Sequence, residues 1–144
     1  DADQTKEIVD IIKSFNKEVV FHRAFDCARD VDKAMNTLIE LGVDRVLTSG
    51  LKPKAMDGIE TIKYLLEKYG DRIEILAGSG MNASNAKEMM DRTGISQVHS
   101  SCKGWRYDST TSGKFVNYCY AGNPHQNDYD VVDEDLVRKI VNSI

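Results

Sequence analysis

A chain of 144 residues with 41% hydrophobic and 29% charged residues is long enough for one domain with a sizeable core, and ordinary for a soluble globular protein. Its net charge of −4, with acids and bases interspersed, argues against the basic patch of a nucleic-acid surface, and no apolar run approaches the ~18 residues of a membrane span. The polar start Asp1-Ala2-Asp3-Gln4 is unlike a secretory signal peptide, and Cys27, Cys102 and Cys119 lack CxxC spacing, so free thiols in a reducing cytoplasm fit better than a disulfide framework or a structural zinc site.

Thr5 to Phe15 carries Ile8, Ile11, Ile12 and Phe15 at helical spacing. Val19 to Phe21 is a short apolar strand that runs into His22, Arg23 and Asp26. Val31 to Leu41 repeats Val31, Ala34, Met35, Leu38 and Ile39 as a helix, with Asp30 placed as N-cap and Gly42 just past its end. Arg45 to Leu47 is the next strand and leads into Thr48-Ser49-Gly50. Ala55 to Tyr69 predicts a long helix with Ile59, Ile62, Leu65, Leu66 and Tyr69 inward, although Gly58 in its second turn disfavours helix. Ile73 to Ala77 is a strand ending in Gly78-Ser79-Gly80. Ala83 to Thr93 predicts a helix with Ala86, Met89 and Met90 on one face, stopped by Gly94. Gln97 to His99 is a fourth strand, followed by Ser100 and Ser101. Residues 103–130, rich in Gly, Ser, Thr and Asn, carry no periodic signal and read as one long loop, functional, mobile or ordered by a partner. Asp133 to Ile144 closes the chain as a helix with Leu136, Val137, Ile140, Val141 and Ile144 on its apolar face.

The strands begin near residues 18, 45, 73 and 97, a repeat of about one strand plus one helix. Near-continuous apolar strands alternating with helices predict a parallel α/β sheet with right-handed crossovers. Four such strands form either an open flavodoxin-like sheet or half of an eight-stranded barrel. In either case the polar and ionisable ends of the strands share one edge, where α/β folds bind ligands.

His22-Arg23-Ala24-Phe25-Asp26, Arg45-Val46-Leu47-Thr48-Ser49-Gly50, Ala77-Gly78-Ser79-Gly80 and Val98-His99-Ser100-Ser101 stand in the order and spacing of the CutC copper homeostasis family, which this chain resembles from about Asp1 to Ile144, least over residues 107–130. The resemblance implies a (βα)8 TIM barrel to which residues 1–144, as a single domain, supply about half: strands five to eight and their helices. Half a barrel leaves two unpaired strand edges and a bare inner face, so a preceding half or a second copy of the chain is expected as partner, with a homo-oligomer as one outcome. The implied role is copper homeostasis in the cytoplasm, through Cu(I) binding or trafficking.

The residues themselves suggest a second chemistry. Arg23 offers a planar fork for a carboxylate or phosphate, His22 and His99 can carry protons or bind metal, and Asp26 can orient either type of group. His22, Arg23, Asp26 and His99 therefore form a candidate catalytic pocket, in which the two imidazoles are expected to meet. Ser49, Gly78, Ser79, Gly80 and Ser100 form a candidate anion or phosphate site, because glycines before a helix let backbone N–H groups approach an oxyanion. Under the family alignment Ala77 to Asn82 and His99 to Ser101 are the loops after strands seven and eight, where barrels commonly hold phosphate. For Cu(I), which prefers thiolate, thioether and imidazole ligands, Cys27 and Cys102 are the leading candidates, with Met81, His22 and His99 beside them. An enzyme acting on a small anionic substrate thus stands beside the copper-binding reading, and an Arg23–Asp26 pair that merely pins a loop stands beside both.

Overall fold

A computed structural model describes residues 1–144. The chain begins with helix α1 (Ala2–Ser14), whose N-terminal amides are met by the Asp1 carboxylate through Gln4 N–H at 3.2 Å. Strand β1 (Val20–Phe21) follows, then a 3-10 turn over Arg23–Cys27 and helix α2 (Val31–Leu41). Asp30 caps α2 by accepting from Lys33 N–H at 2.9 Å, and Gly42 ends it in the left-handed conformation at φ 85°. Strand β2 (Arg45–Thr48), a 3-10 turn (Ala55–Gly58), helix α3 (Ile59–Tyr69), strand β3 (Glu74–Gly78), helix α4 (Ala86–Thr93) and strand β4 (Val98–His99) complete the repeating part.

The four strands pair in parallel in the order β1-β2-β3-β4, with Val20 opposite Arg45, Arg45 opposite Glu74, and Gly78 opposite His99. Because spatial order follows chain order, right-handed connections carry every crossover helix over the same face. On that face Val46, Thr48, Ile75 and Ala77 are buried, packed with Met35 and Leu38 of α2, Ile62 and Leu65 of α3, and Met89 of α4 in one core. The opposite face carries Arg45, Leu47, Glu74 and Leu76 and remains partly open. There Arg45 Nε donates to Glu74 Oε2 at 2.6 Å and Gln97 Nε2 donates to the same oxygen at 2.7 Å.

Three differences from the periodic reading have a clear local cause. The helix expected from Ala55 is a 3-10 turn up to Gly58, where the chain lies against the Ser49-Gly50 backbone: a Cβ on Gly58 would stand 2.1 Å from the Ser49 carbonyl oxygen. Helix α4 starts at Ala86 rather than Ala83, because Asn82 Oδ1 accepts from Ser84 N–H at 2.9 Å and Asn85 Oδ1 accepts from Asn82 N–H at 2.9 Å, a side-chain turn that competes with helix. The segment 103–130, read as a loop, instead begins and ends in an antiparallel ribbon of β5 (Lys103–Tyr107) and β6 (Asp128–Val132). Cross-strand and tip side chains hold it: Trp105 stacks on His125 with ring centroids 4.3 Å apart, and Lys103 pairs with Asp130 at 3.3 Å. Helix α5 (Glu134–Val141) follows, capped by Asp133, which accepts from Leu136 N–H at 3.0 Å, and it buries Ile140.

Candidate functional site

Asp26 sits at the end of the first 3-10 turn, with its side chain 8% exposed at the C-terminal edge of β1 and β2. Oδ1 accepts from Thr48 Oγ1 at 2.5 Å, Ser49 N–H at 3.1 Å and Leu51 N–H at 3.3 Å. Oδ2 accepts from Arg23 Nε at 2.8 Å. The Ser49 hydroxyl has one proton within reach of both Asp26 Oδ2, at 2.9 Å, and the Lys52 carbonyl, and it accepts from Arg23 Nη2 at 2.8 Å. Burial pushes the Asp26 carboxyl up, but the hydrogen bonds from Thr48, Ser49 and Arg23 outweigh it and hold the group below the usual carboxylate range. A carboxylate so saturated with donors positions its neighbours and is not free to take a proton. Ser49, fully buried, likewise serves Arg23 and not a ligand.

Arg23 is thereby fixed in place. Its Nε and Nη2 are occupied, and Nη1 makes no hydrogen bond within the chain. It borders a cavity of about 280 Å³ together with Leu47, Ser79, Gly80, Met81, His99, Ser100 and Ser101. A larger cavity of about 590 Å³ lies between α1, the first 3-10 turn and α2, lined by Phe21, Phe25, Leu38 and Leu41 among others; none of the expected site residues borders it. The polar convergence marks the smaller cavity as the candidate site.

The loop after β3 shapes this cavity. Ser79 and Gly80 both take left-handed backbone angles, φ 83° and 78°. For Ser79 that conformation costs energy, and the neighbouring loop holds it: Ser79 Oγ donates to the Pro53 carbonyl at 2.7 Å and its own carbonyl accepts from Ala55 N–H at 3.0 Å. The Ser79 hydroxyl is therefore turned away from the cavity's ligand role, and so is that of Ser100, which donates to the Met81 carbonyl at 2.8 Å. What the loops leave unengaged is backbone: the N–H groups of Gly80, Met81 and Ser101 have no acceptor within the chain. Gly78 contributes space, since a Cβ there would stand 2.6 Å from Leu47 Cδ1.

The two imidazoles do not meet in one pocket. His99 borders the 280 Å³ cavity, whereas His22 borders a different one beside Ile8, Val9 and Ile12. His22 Nδ1 accepts from Ala24 N–H at 3.2 Å and so caps the 3-10 turn. The cysteines are separated in the same way. Cys27 is exposed on the turn, while Cys102 is buried and shares with Met81 a cavity of about 470 Å³ against α5. No three His, Cys, Asp or Glu side chains cluster as they do around a hard or borderline metal ion. Sequence reasoning passed over Thr48 as a partner of Asp26, and Lys54, whose side chain runs over Gly80. Strand periodicity explains Thr48, which directly ends β2, but nothing in the sequence signals that the 50–54 segment folds toward the next loop.

The chain as a whole has relatives among known proteins. A family protein CutC from Glaesserella parasuis is 36% identical over 130 residues, covering 88% of this chain and 51% of its own length. One from Treponema denticola is 35% identical over 145 residues, covering 100% of this chain and 58% of its own. The crystal structure of a protein named for copper homeostasis, CutC from Streptococcus agalactiae, aligns with a TM-score of 0.59 at 33% identity, over 66% of this chain and 48% of that one. The chain thus spans about half the length of the curated relatives it matches. The CutC family model itself covers residues 1–104, which takes in all four parallel strands and every residue bordering the 280 Å³ cavity, so the fold and its rim together identify this chain as a member of the CutC family.

Proposed function

We propose that this chain serves copper homeostasis as the second half of a CutC barrel, and that the ligand received at its own rim is a small molecule bearing an oxyanion. The observation that carries the reading is the cavity bordered by Arg23, His99 and the loops after β3 and β4, in which Asp26 and Ser49 fix the guanidinium and leave Nη1 and several backbone N–H groups without acceptors. A fixed fork beside unpaired N–H groups suits a carboxylate or phosphoryl group and costs little reorganisation when the ligand arrives. If the site is catalytic, His99 is the group able to exchange a proton there, while Arg23 orients the substrate and Asp26 orients Arg23. The homeostasis role draws its support from the name of the Streptococcus agalactiae relative. The half-barrel draws its support from the one-sided sheet and from the length of the relatives. A preceding set of four strands, or a second copy, would cover the open face and both strand edges.

Titrating inorganic phosphate and acetate into the chain and its Arg23→Met variant by calorimetry tests this reading. Saturable binding that the substitution abolishes supports it. Absence of binding, or equal binding by both proteins, removes it.

One observation favours direct copper binding as a second reading: buried Cys102 and Met81 border the same cavity, and their thiol and thioether are soft ligands suited to Cu(I). Cys27 lies outside it. An anaerobic Cu(I) competition titration should then show stoichiometric binding that is lost in Cys102→Ser and retained in Cys27→Ser; metal binding indifferent to Cys102 would leave the copper site outside this half.

A further inference from the structure

Lys54 stands next to the candidate anion cavity without a partner. It precedes the 3-10 turn Ala55–Gly58, is exposed, and takes part in none of the chain's ion pairs. Its stem lies across Gly80: a Cβ on that glycine would stand 2.8 Å from Lys54 Cδ and 3.6 Å from Nζ. The backbone on either side of Lys54 is tied to this loop. Ala55 N–H donates to the Ser79 carbonyl at 3.0 Å and the Pro53 carbonyl accepts from Ser79 Oγ at 2.7 Å, so the residues on either side of Lys54 are bonded to the loop that borders the cavity.

Charge and donor counts then favour one class of oxyanion. The Arg23 charge is matched by Asp26 at 2.8 Å, so the guanidinium itself presents a fork with its charge offset. With Lys54 the rim carries an unmatched positive charge on the far side of Gly80. The unengaged donors are Arg23 Nη1, the N–H groups of Gly80, Met81 and Ser101, and the Lys54 ammonium. That is more than the roughly four lone-pair positions of a carboxylate can accept, whereas a phosphoryl group offers three strong acceptor oxygens and up to two negative charges. We propose that Lys54 is the second cation of this site and that its ligand is recognised through a phosphoryl group. The proposal rests on the oxyanion reading of the cavity and names the ligand class within it.

The test compares inorganic phosphate and acetate as probes, by calorimetric titration of the full chain, Lys54→Met, Lys54→Arg and Arg23→Met, each checked for native circular dichroism. Lys54 is exposed, so its replacement leaves the core untouched. The expected result is phosphate affinity reduced about tenfold in Lys54→Met and largely restored in Lys54→Arg, with acetate affinity changed less than about twofold. Phosphate affinity unchanged in Lys54→Met while Arg23→Met abolishes it overturns the role of Lys54 and leaves the oxyanion reading standing. Equal losses for phosphate and acetate in Lys54→Met overturn the phosphoryl assignment. No binding of either anion by the wild-type chain removes both readings together.

Discussion

Asp26 and Gly50 meet their surroundings in opposite ways, one by attracting donors and one by leaving room. Gly50 adopts φ 69°, and a Cβ there would stand 2.3 Å from the Gly58 carbonyl oxygen, a backbone atom that cannot step aside. Gly50→Ala should therefore cost more than the ~1–3 kcal/mol of backbone strain alone, and it should also disturb the Ser49 and Leu51 amides that hold Asp26. Gly122 has nothing within 4 Å of its virtual Cβ and provides the control. Urea midpoints of the two alanine variants measure the difference; equal midpoints would show that the Gly50–Gly58 approach carries no stability. At this scale the sequence exposed the types of residue at the rim but not their partners. Arg23, Asp26 and His99 stand out as ionisable groups ending apolar strands. That Asp26 is consumed by Thr48 and Ser49, that His22 caps a turn, and that Ser79 and Ser100 bond to carbonyls depends on loop paths that no periodicity encodes.

Helices α2 and α3 are joined across their exposed flank by one carboxylate. Asp32 accepts from Tyr69 Oη at 2.6 Å, from Tyr64 Oη at 2.7 Å and from Lys68 Nζ at 3.0 Å. The two phenols and the ammonium lower its carboxyl to about 2 from 3.8. A depressed folded-state value means that the unfolded chain binds the proton first as pH falls. The contribution is thus fully present above about pH 4 and is lost as pH drops through about 2. In Asp32→Asn the decline of stability between those values should be shallower than in the wild type, measured as urea midpoint against pH; parallel curves would mean the bridge contributes nothing. Elements were the most legible level of the sequence, because 3.6-residue and two-residue periods reveal α1 to α4 and β1 to β4 directly. The β5–β6 ribbon escaped because its strands, Lys103–Tyr107 and Asp128–Val132, interleave charged with aromatic residues, and their register is set across a long intervening segment.

The whole molecule is a one-sided sheet. All crossover helices cover the face of Val46 and Ile75, while Leu47 and Leu76 on the other face lack a covering layer, and parallel sheets are stable mainly when both faces are covered. On the half-barrel proposal the chain alone should associate through that face and the β1 and β4 edges. Sedimentation velocity at micromolar concentration should then report a dimer or larger species, or a dye-binding partly folded state; a well-folded monomer would contradict the proposal. The chain order of the strands was legible in the sequence, and it already dictates that the helices share a side. That one face of the sheet stays bare was not legible, because a bare face and a buried one draw on the same apolar residues. Since Ser79 is tied to the 53–55 segment by two hydrogen bonds, the two loops keep a fixed shape before any ligand arrives. A ligand docking there has no loop to order, so association should be limited by encounter, and ligands of one class should differ chiefly in how long they remain bound.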